Sequence, residues 1–410
     1  MRRFGTLARR ALGCLLALLL TTGCTARDRP DTATPTTSAA GSPTSTAAPT
    51  TTATATTPRP IPAPETCAQS TLAGMDPAQR VGQLLMVGVA ATDPVGAYAA
   101  VAPYDVGGIF LAGRSSAGVT ATRRAVDQLQ EAALASTGAY LQVAADQEGG
   151  LVQTLSGPGF SDIPSAVEQG SWALPELSEQ ITGWAGELAA AGVTFNLSPV
   201  ADTVPAGRAA TNPPIGAVDR HFGTDPGAVA AQISTVVAAS ESAGVAVTLK
   251  HFPGLGRVEV NTDTAVGAAD TETTATDPRL YPFRVGIDAG ATAVMISSAR
   301  YPLLDPDTLA PFSPAVIQDL LRGQLRYEGV VISDDLGRAA AVQSLPAGQR
   351  AVEFVAAGGD VVLTVVAADA EPMTTALLAH ASSDAGFAAR VEESALRVLS
   401  AKQRGGLLRC

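Results

Sequence analysis

The sequence is poor in basic residues, histidine, cysteine and aromatic side chains. Its 410 residues include only two lysines, Lys250 and Lys402, and three histidines, and the formal charge is −11. An acidic chain without a basic block does not fit a nucleic-acid-binding surface. Four scattered cysteines do not have the spacing of a zinc cluster or of a disulfide scaffold. With 4% aromatic residues, the chain also lacks the stacking platforms of long polysaccharide clefts.

The sequence does contain enough apolar residues for a large core, since 46% are hydrophobic, and this excludes global disorder. Residues 1–23 predict an export signal: four arginines precede the apolar run Ala11–Leu20, which is too short to span a bilayer as a mature helix. Gly23 and Cys24 follow, as in a lipoprotein signal that is cleaved before a lipidated cysteine. We therefore predict a lipid on Cys24, the alternative being an ordinary secretory signal.

Residues 24–66 are dominated by threonine, alanine, proline and serine, and they predict a disordered tether between a membrane and a folded domain. The folded domain is expected to span residues 67–410. Cys67 and Cys410 can form a disulfide bond in an exported protein, because the termini of a closed barrel lie near each other. The alternative is a free Cys410. These features predict an extracytoplasmic lipoprotein on the cell membrane, or a secreted protein.

Eight short apolar runs alternate with alanine-rich amphipathic segments in the predicted domain. Most of the runs have no period-2 polarity, as expected for strands that are buried on both faces. Eight such alternations predict an α/β fold with a single (β/α)8 TIM-type barrel, and an open doubly wound sheet is the alternative. The predicted strands are Leu84–Val89, Gly107–Leu111, Tyr140–Ala145, Thr194–Val200, Val245–Leu249, Ala293–Ser297, Gly329–Ser333 and Asp360–Val365.

Charged residues follow the ends of several predicted strands, where the chemistry of such barrels is located. They are Asp146, Asp202, Arg220 in the loop beyond it, Lys250 with His251, and Asp334 with Asp335. Each has a simpler interpretation as a helix cap, a turn former, a buried core histidine or a structural ion pair. Asp202, before a proline-rich loop, is interpreted as a turn former. Lys250 interrupts an apolar strand, where an unpaired lysine is costly, and this favours a joint site on one rim of the barrel.

Several sequence runs resemble glycoside hydrolase family 3, and the likeness extends over residues 72–400. They are Val81–Gly88, Asp146–Gly150, the quite specific Lys-His-Phe-Pro-Gly run Lys250–Gly254, and Val331–Leu336. The chain is most similar to single-domain bacterial β-N-acetylhexosaminidases, which remove terminal N-acetylglucosamine from cell-wall fragments. The resemblance implies a retaining enzyme without a cofactor or metal, in which Asp334 is the nucleophile and forms a covalent glycosyl intermediate. It also implies that Asp146, Arg220, Lys250 and His251 hold the sugar hydroxyls.

One loop departs from the family pattern. The single-domain enzymes carry Asp-Ser-His after the Lys-His-Phe-Pro-Gly run, and that histidine is the acid/base, whereas here the sequence is Asn-Thr-Asp, with Asp263 in its place. Asp263 is therefore the candidate acid/base, with Asn261 as a hydrogen-bond partner for it, and Glu259 is a second candidate. Leu151 and Thr154 also stand where the family carries arginines, which leaves the exact sugar open.

The predicted function is hydrolysis of terminal N-acetylglucosamine from small peptidoglycan oligosaccharides or muropeptides by a membrane-anchored monomer. A β-glucosidase or β-xylosidase of the same family and phosphorolysis in place of hydrolysis are the related alternatives. If the altered loop has lost its acid, the protein is instead a non-catalytic sugar-binding lipoprotein. The scarcity of aromatic residues favours a small pocket that removes one sugar from a chain end.

Overall fold

A computed structural model describes residues 66–409 of the chain. Its strands are β1 (Leu85–Ala90), β2 (Gly108–Ala112), β3 (Gln142–Ala145), β4 (Gln147–Gly149), β5 (Val152–Gln153), β6 (Phe195–Asn196), β7 (Ala246–Phe252), β8 (Ala293–Ile296), β9 (Val330–Ser333) and β10 (Val362–Thr364). All except the antiparallel pair β4 and β5 lie parallel in one sheet, in the order β10-β1-β2-β3-β6-β7-β8-β9. A bridge between Ile332 and Val361 joins the two ends of this sheet, and the predicted (β/α)8 barrel is confirmed.

Helices alternate with the strands and cover the outside of the barrel. They are α1 (Cys67–Gly74), α2 (Pro77–Gly82), α3 (Pro94–Tyr98), α4 (Gly118–Thr137), α5 (Ala166–Gln169), α6 (Leu174–Ala190), α7 (Pro226–Ser242), α8 (Tyr281–Asp288), α9 (Ala347–Ala356), α10 (Ala370–Ser383) and α11 (Ala385–Arg404). A further helix, Ala315–Gln324, has π-type hydrogen bonds. Within residues 66–409, no helix has the length and apolar character that crossing a membrane requires.

The predicted strand Thr194–Val200 is much shorter in the structure than in the prediction. Only Phe195 and Asn196 form the regular strand β6. Pro199 interrupts the ladder because proline has no N–H to donate, and pairing resumes as an isolated bridge between Val200 and Lys250. Single backbone hydrogen bonds continue beyond β6, from Leu197 N–H to Ala145 and from Ala201 N–H to Lys250, and the loop that carries Asp202 and Arg220 follows them.

The interior of the barrel is a packed core rather than a channel. Apolar side chains of several strands meet there, among them Met86, Phe195 and Met295, all nearly inaccessible to solvent. Val398 and Ala401 of α11 pack against the same cluster, so the last long helix covers one end of the barrel. Gln83, just before β1, contacts this helix, which identifies the covered end as the one where the strands begin. The carboxyl ends of the strands remain for the functional site.

The first and last helices of the described chain lie against each other. The backbone N–H of Ala68 donates to Oε1 of Gln403 at 2.9 Å. Cys67 is disulfide-bonded, and the other cysteines of the sequence, Cys410 and Cys24 among them, lie outside the described residues. The pairing of Cys67 with Cys410 and the lipidation of Cys24 therefore stay predictions, as do the export signal and the tether.

Lys402 is buried beneath the barrel and generates a prediction about stability. Its Nζ donates to Oε1 of Gln83 at 2.7 Å, no salt bridge reaches it within the described chain, and burial lowers its pKa to about 7. In the unfolded chain the lysine has its ordinary pKa of 10.5. Between pH 7 and pH 10.5 the unfolded state therefore binds more protons than the folded state, and the free energy of unfolding rises with pH. Lys402→Met removes this burial cost. The variant should therefore gain most in free energy of unfolding, relative to wild type, near pH 6.

Urea unfolding from pH 6 to pH 10 measures this difference. The gain of Lys402→Met in free energy of unfolding, relative to wild type, should shrink steadily as the pH rises. Arg124→Met, at an exposed position of α4, is the control and should show no such trend. A constant difference between Lys402→Met and wild type at every pH would contradict the titration of Lys402.

Candidate active site

A cavity of about 380 Å³ opens at the carboxyl ends of the strands. Six charged side chains predicted for the site all line it, although they come from strand β7 and from the segments that follow β3, β6, β7 and β9. They are Asp146, Arg220, Lys250, His251, Asp263 and Asp334. The structure thus brings the six predicted residues to one place, as the barrel topology requires.

A buried network of charges forms one wall of this cavity. Nζ of Lys250 lies 2.7 Å from Oδ1 of Asp146 and 2.5 Å from Oε1 of Glu148. Arg220 binds the same Glu148 through two parallel hydrogen bonds, Nε to Oε2 at 2.8 Å and Nη2 to Oε1 at 2.7 Å. A third hydrogen bond from Arg220 reaches the carbonyl of Pro214 at 2.9 Å. The two cations are therefore fixed in position before any ligand binds.

Electrostatics keeps this network ionised. Burial favours the neutral form of Glu148, but the charges of Arg220 and Lys250 outweigh it and lower the pKa of Glu148 to about 2. Burial likewise opposes the charge on Lys250, yet Asp146 and Glu148 raise its pKa above the ordinary value. Glu148 was not among the predicted site residues. The available signal was the charge balance, because Lys250 and Arg220 together need more than the single carboxylate of Asp146.

Asp202 is a second residue whose role the sequence analysis missed, and the interpretation of it as a turn former is wrong. Its side chain is fully buried, and its Oδ2 lies 2.7 Å from Nδ1 of His251. The same carboxylate accepts the backbone N–H groups of His251, at 3.2 Å, and of Leu255, at 2.8 Å. Asp202 therefore holds the imidazole by Nδ1 and leaves Nε2 for the cavity.

Asp334 and Asp335 follow β9 but have different environments. Asp335 is a structural residue: its Oδ1 accepts the backbone N–H groups of Gly337 and Val365, at 2.8 Å and 3.0 Å, and its Oδ2 accepts that of Arg338 at 3.1 Å. The carboxylate of Asp334 accepts only the neighbouring backbone N–H of Asp335, at 2.8 Å, among the described residues. Its remaining oxygen is available to the cavity.

The pKa of Asp334 is raised to about 6. Burial is the main cause, and the negative charges of Asp263 and Asp335 add to it, whereas His251 acts in the opposite direction. Asp263 and Asp334 line the same cavity, so the charge of one acts on the other.

Asp263 is an exposed residue of the loop that follows β7. Asn261 does not bind its carboxylate as expected; instead Oδ1 of Asn261 accepts the backbone N–H of Asp263 at 2.9 Å. The loop is attached to the segment after β9, because the carbonyl of Asp263 accepts the backbone N–H of Ala340 at 3.1 Å. Glu259, the second candidate acid, is exposed and does not line the cavity, so the geometry favours Asp263.

The two positions where the family carries arginines lie apart from the cavity lining. Leu151 is 64% exposed, and Thr154 is buried, with its backbone bound to Ser115 and Asp146. No group of three or more His, Cys, Asp or Glu side chains that could hold a metal ion is found within residues 66–409.

A closed (β/α)8 barrel with two carboxylates and a fixed set of charged hydrogen-bonding groups in a small cavity at its strand ends has the site of a glycosidase. The family model described as the glycosyl hydrolase family 3 N terminal domain matches residues 78–401. The chain belongs to this family and is a glycoside hydrolase.

Individual relatives agree with this assignment. A protein named beta-hexosaminidase from Stenotrophomonas maltophilia (strain K279a) is 36% identical over 291 residues, which cover 68% of this chain and 82% of the relative. The crystal structure of a beta-N-acetylhexosaminidase from Beutenbergia cavernae DSM 12333 is 47% identical, with a TM-score of 0.78, over 81% of this chain and 99% of that one. A family 3 beta-N-acetylglucosaminidase from Paenibacillus sp. str. FPU-7 is 30% identical, with a TM-score of 0.74, over 82% and 63% of the two chains.

The contact between Asp202 and His251 leads to a testable prediction. Asp202→Asn keeps the shape of the side chain but places an amide, which donates hydrogen bonds, against groups that donate to the carboxylate. His251 should lose its fixed orientation, and kcat/KM should fall by about tenfold or more, as for other residues that orient a working histidine. ¹⁵N NMR of the imidazole should show a changed tautomer population.

Asp219→Asn is the matched control, since Asp219 is exposed and asparagine tolerates its positive φ of 54°. It should leave the activity and the imidazole signals unchanged. An Asp202→Asn enzyme with the wild-type tautomer and wild-type activity would show that Asp202 is only a packing residue.

Proposed function

We propose that the protein is a retaining β-N-acetylhexosaminidase that hydrolyses terminal, non-reducing N-acetylglucosamine from β-linked peptidoglycan fragments. The observation that carries this proposal is the shared cavity of Asp334 and Asp263, one carboxylate at the end of a barrel strand and one on a loop that faces it. The names of the relatives support the choice of sugar.

In the proposed mechanism Asp334 attacks the anomeric carbon and forms a glycosyl-aspartate ester. Asp263, in its protonated form, gives its proton to the glycosidic oxygen as the bond to the leaving group breaks. The resulting Asp263 carboxylate then takes a proton from water, and the water oxygen displaces Asp334 from the anomeric carbon. Two displacements restore the original configuration, and both carboxyl groups return to their starting states.

The charged wall of the cavity is suited to hold the sugar hydroxyls. The ammonium group of Lys250 has three N–H donors, and the contacts with Asp146 and Glu148 account for two of them. The third donor, an oxygen of Asp146 and Nε2 of His251 can each bind a hydroxyl group. Because these partners are already ordered by Glu148 and Asp202, binding the sugar requires little reorganisation.

The substrate and the location remain parts of the proposal that rest on the sequence. A cavity of about 380 Å³ has the size for a terminal sugar rather than for a polymer cleft. A lipid on Cys24 and the tether of residues 24–66 would place the barrel at the outer side of the membrane, where wall fragments arise. We propose this extracytoplasmic location together with the activity.

The proposed sugar specificity predicts the result of a direct assay. The purified chain should release nitrophenol from nitrophenyl β-N-acetylglucosaminide and much more slowly, or not at all, from the β-glucoside. Because the intermediate keeps the configuration, ¹H NMR should show the β-anomer of N-acetylglucosamine as the first product. Release from the glucoside alone would identify a β-glucosidase. Binding of N-acetylglucosamine without turnover of either substrate would identify a sugar-binding protein.

The control for this assay is removal of the nucleophile. Asp334→Asn should lower turnover to below about 0.1% of wild type, because the amide cannot form the ester. Since the pKa of Asp334 is about 6 and its ionised form attacks, wild-type kcat/KM should fall as the pH drops below 6. A folded Asp334→Asn protein with several per cent of the wild-type rate would exclude Asp334 as the nucleophile.

Asp263 is tested by varying the leaving group. Asp263→Ala should slow substrates with a sugar leaving group by about 10²–10⁴, because the departing oxygen needs a proton, and should affect nitrophenyl substrates far less at the glycosylation step. Burst kinetics separate that step from hydrolysis of the intermediate. Glu259→Ala, in the same loop but outside the cavity lining, is the matched control. An equal loss of rate on both kinds of substrate would show that Asp263 is not the acid.

A further inference from the structure

Arg338 differs from the other permanently charged cations of the cavity. Arg220 and Lys250 are bound to carboxylates, as described above. Arg338 lines the same cavity but is exposed, and its guanidinium makes no hydrogen bond or ion pair within residues 66–409. A cavity lined by four aspartates therefore contains one guanidinium, among the described residues, that is free to bind an anion.

The position of Arg338 relative to Asp263 shows which part of a substrate it can contact. Two backbone hydrogen bonds join its segment to the loop of the proposed acid: Ala340 N–H to the carbonyl of Asp263 and Ala341 N–H to that of Thr262, both at 3.1 Å. A general acid faces the oxygen of the leaving group, not the sugar that forms the intermediate. Arg338 therefore lies on the leaving-group side of the bond that is cleaved.

The backbone of Arg338 is fixed although its side chain is not. Its N–H donates to Oδ2 of Asp335 at 3.1 Å, and Asp335 is itself held by the N–H groups of Gly337 and Val365. A long, unpaired side chain on a fixed backbone can reach a partner at the mouth of the cavity without moving the nucleophile, which is four residues earlier in the chain.

We propose that Arg338 is a specificity-determining residue that binds a carboxylate on the leaving group. The inference rests on the proposed function. A leaving group with a carboxylate would otherwise meet the negative charges of Asp146, Asp263 and Asp334, and a guanidinium offsets this repulsion through paired, charge-assisted hydrogen bonds.

A carboxylate on the leaving group has two sources in a wall fragment. It can belong to a 3-O-lactyl ether on the second sugar, or to the end of a peptide that is attached there. The chemistry that Arg338 recognises is the same, but the distance from the cleaved bond differs. Matched substrates can therefore separate the two sources.

The experiment compares disaccharides in which N-acetylglucosamine is β-1,4-linked to N-acetylmuramic acid. The first has the free lactyl carboxylate, the second is its neutral methyl ester, and the third carries L-alanine in amide linkage, which moves the carboxylate outward by one residue. Wild type should hydrolyse at least one of the two charged substrates about tenfold better than the ester in kcat/KM, as one charge-assisted pair provides. In Arg338→Gln this ratio should fall to near one, and Arg338→Lys should give an intermediate ratio.

Arg124→Gln removes the same charge from an exposed position of α4 and should keep the wild-type ratio. A preference for the free acid locates the carboxylate on the sugar, and a preference for the alanyl compound alone locates it on the peptide; both support the proposal if Arg338→Gln abolishes them. Equal hydrolysis of all three by wild type, or a preference that survives in Arg338→Gln, would overturn the role of Arg338 and leave the proposed function intact. No hydrolysis of any of the three would contradict the proposed function, and this inference with it.

Discussion

The geometry of the site depends on the burial of one anion, Glu148, between two cations. An ion pair of this kind contributes little net stability, because desolvation of the charges offsets much of their attraction. Its effect here is positional. Arg220 belongs to a long loop and Lys250 to a strand, and the shared carboxylate fixes both relative to the end of β3. Removing Glu148 would leave Lys250 with Asp146 and Arg220 without a carboxylate partner among the described residues, so the wall that faces the cavity would lose its arrangement.

A similar division of roles applies to the other carboxylates. Asp202 and Asp335 are saturated with backbone or imidazole donors and position their neighbours. Asp334 and Asp263 have few or no protein donors on their oxygens among the described residues, and both face the cavity. Chemical type alone does not distinguish these two groups, since all four are aspartates at or beyond strand ends. The number of hydrogen bonds that each oxygen accepts does distinguish them, and the two with few or no donors are the pair to which we assign the nucleophile and the acid.

The sequence predicted the barrel and five of the six charged residues of the cavity because both depend on patterns that are local in the chain, whereas Asp263 was placed only by the resemblance to the family. Apolar runs buried on both faces indicate parallel strands, and residues just beyond parallel strands must meet at one rim. Glu148 and Asp202 were missed because their roles depend on contacts across 72 and 49 residues, which no spacing rule contains. The expected bond from Asn261 to the carboxylate of Asp263 was wrong for a local reason: an asparagine two residues before an N–H readily accepts it in a tight turn.

In the proposed mechanism an aspartate takes the place of a histidine as the acid, so the cavity holds two carboxylates that repel each other. A nucleophile must be ionised while the acid keeps its proton, and two carboxylates that repel each other favour a state with a single shared negative charge. The charge that lowers the pKa of Asp334 comes from His251, whereas no positively charged side chain within residues 66–409 pairs with Asp263. His251 therefore favours the ionised form of Asp334 against the effect of burial. An anionic leaving group would bring a further negative charge into this cavity, and in our proposal Arg338, on the same rim, offsets the repulsion.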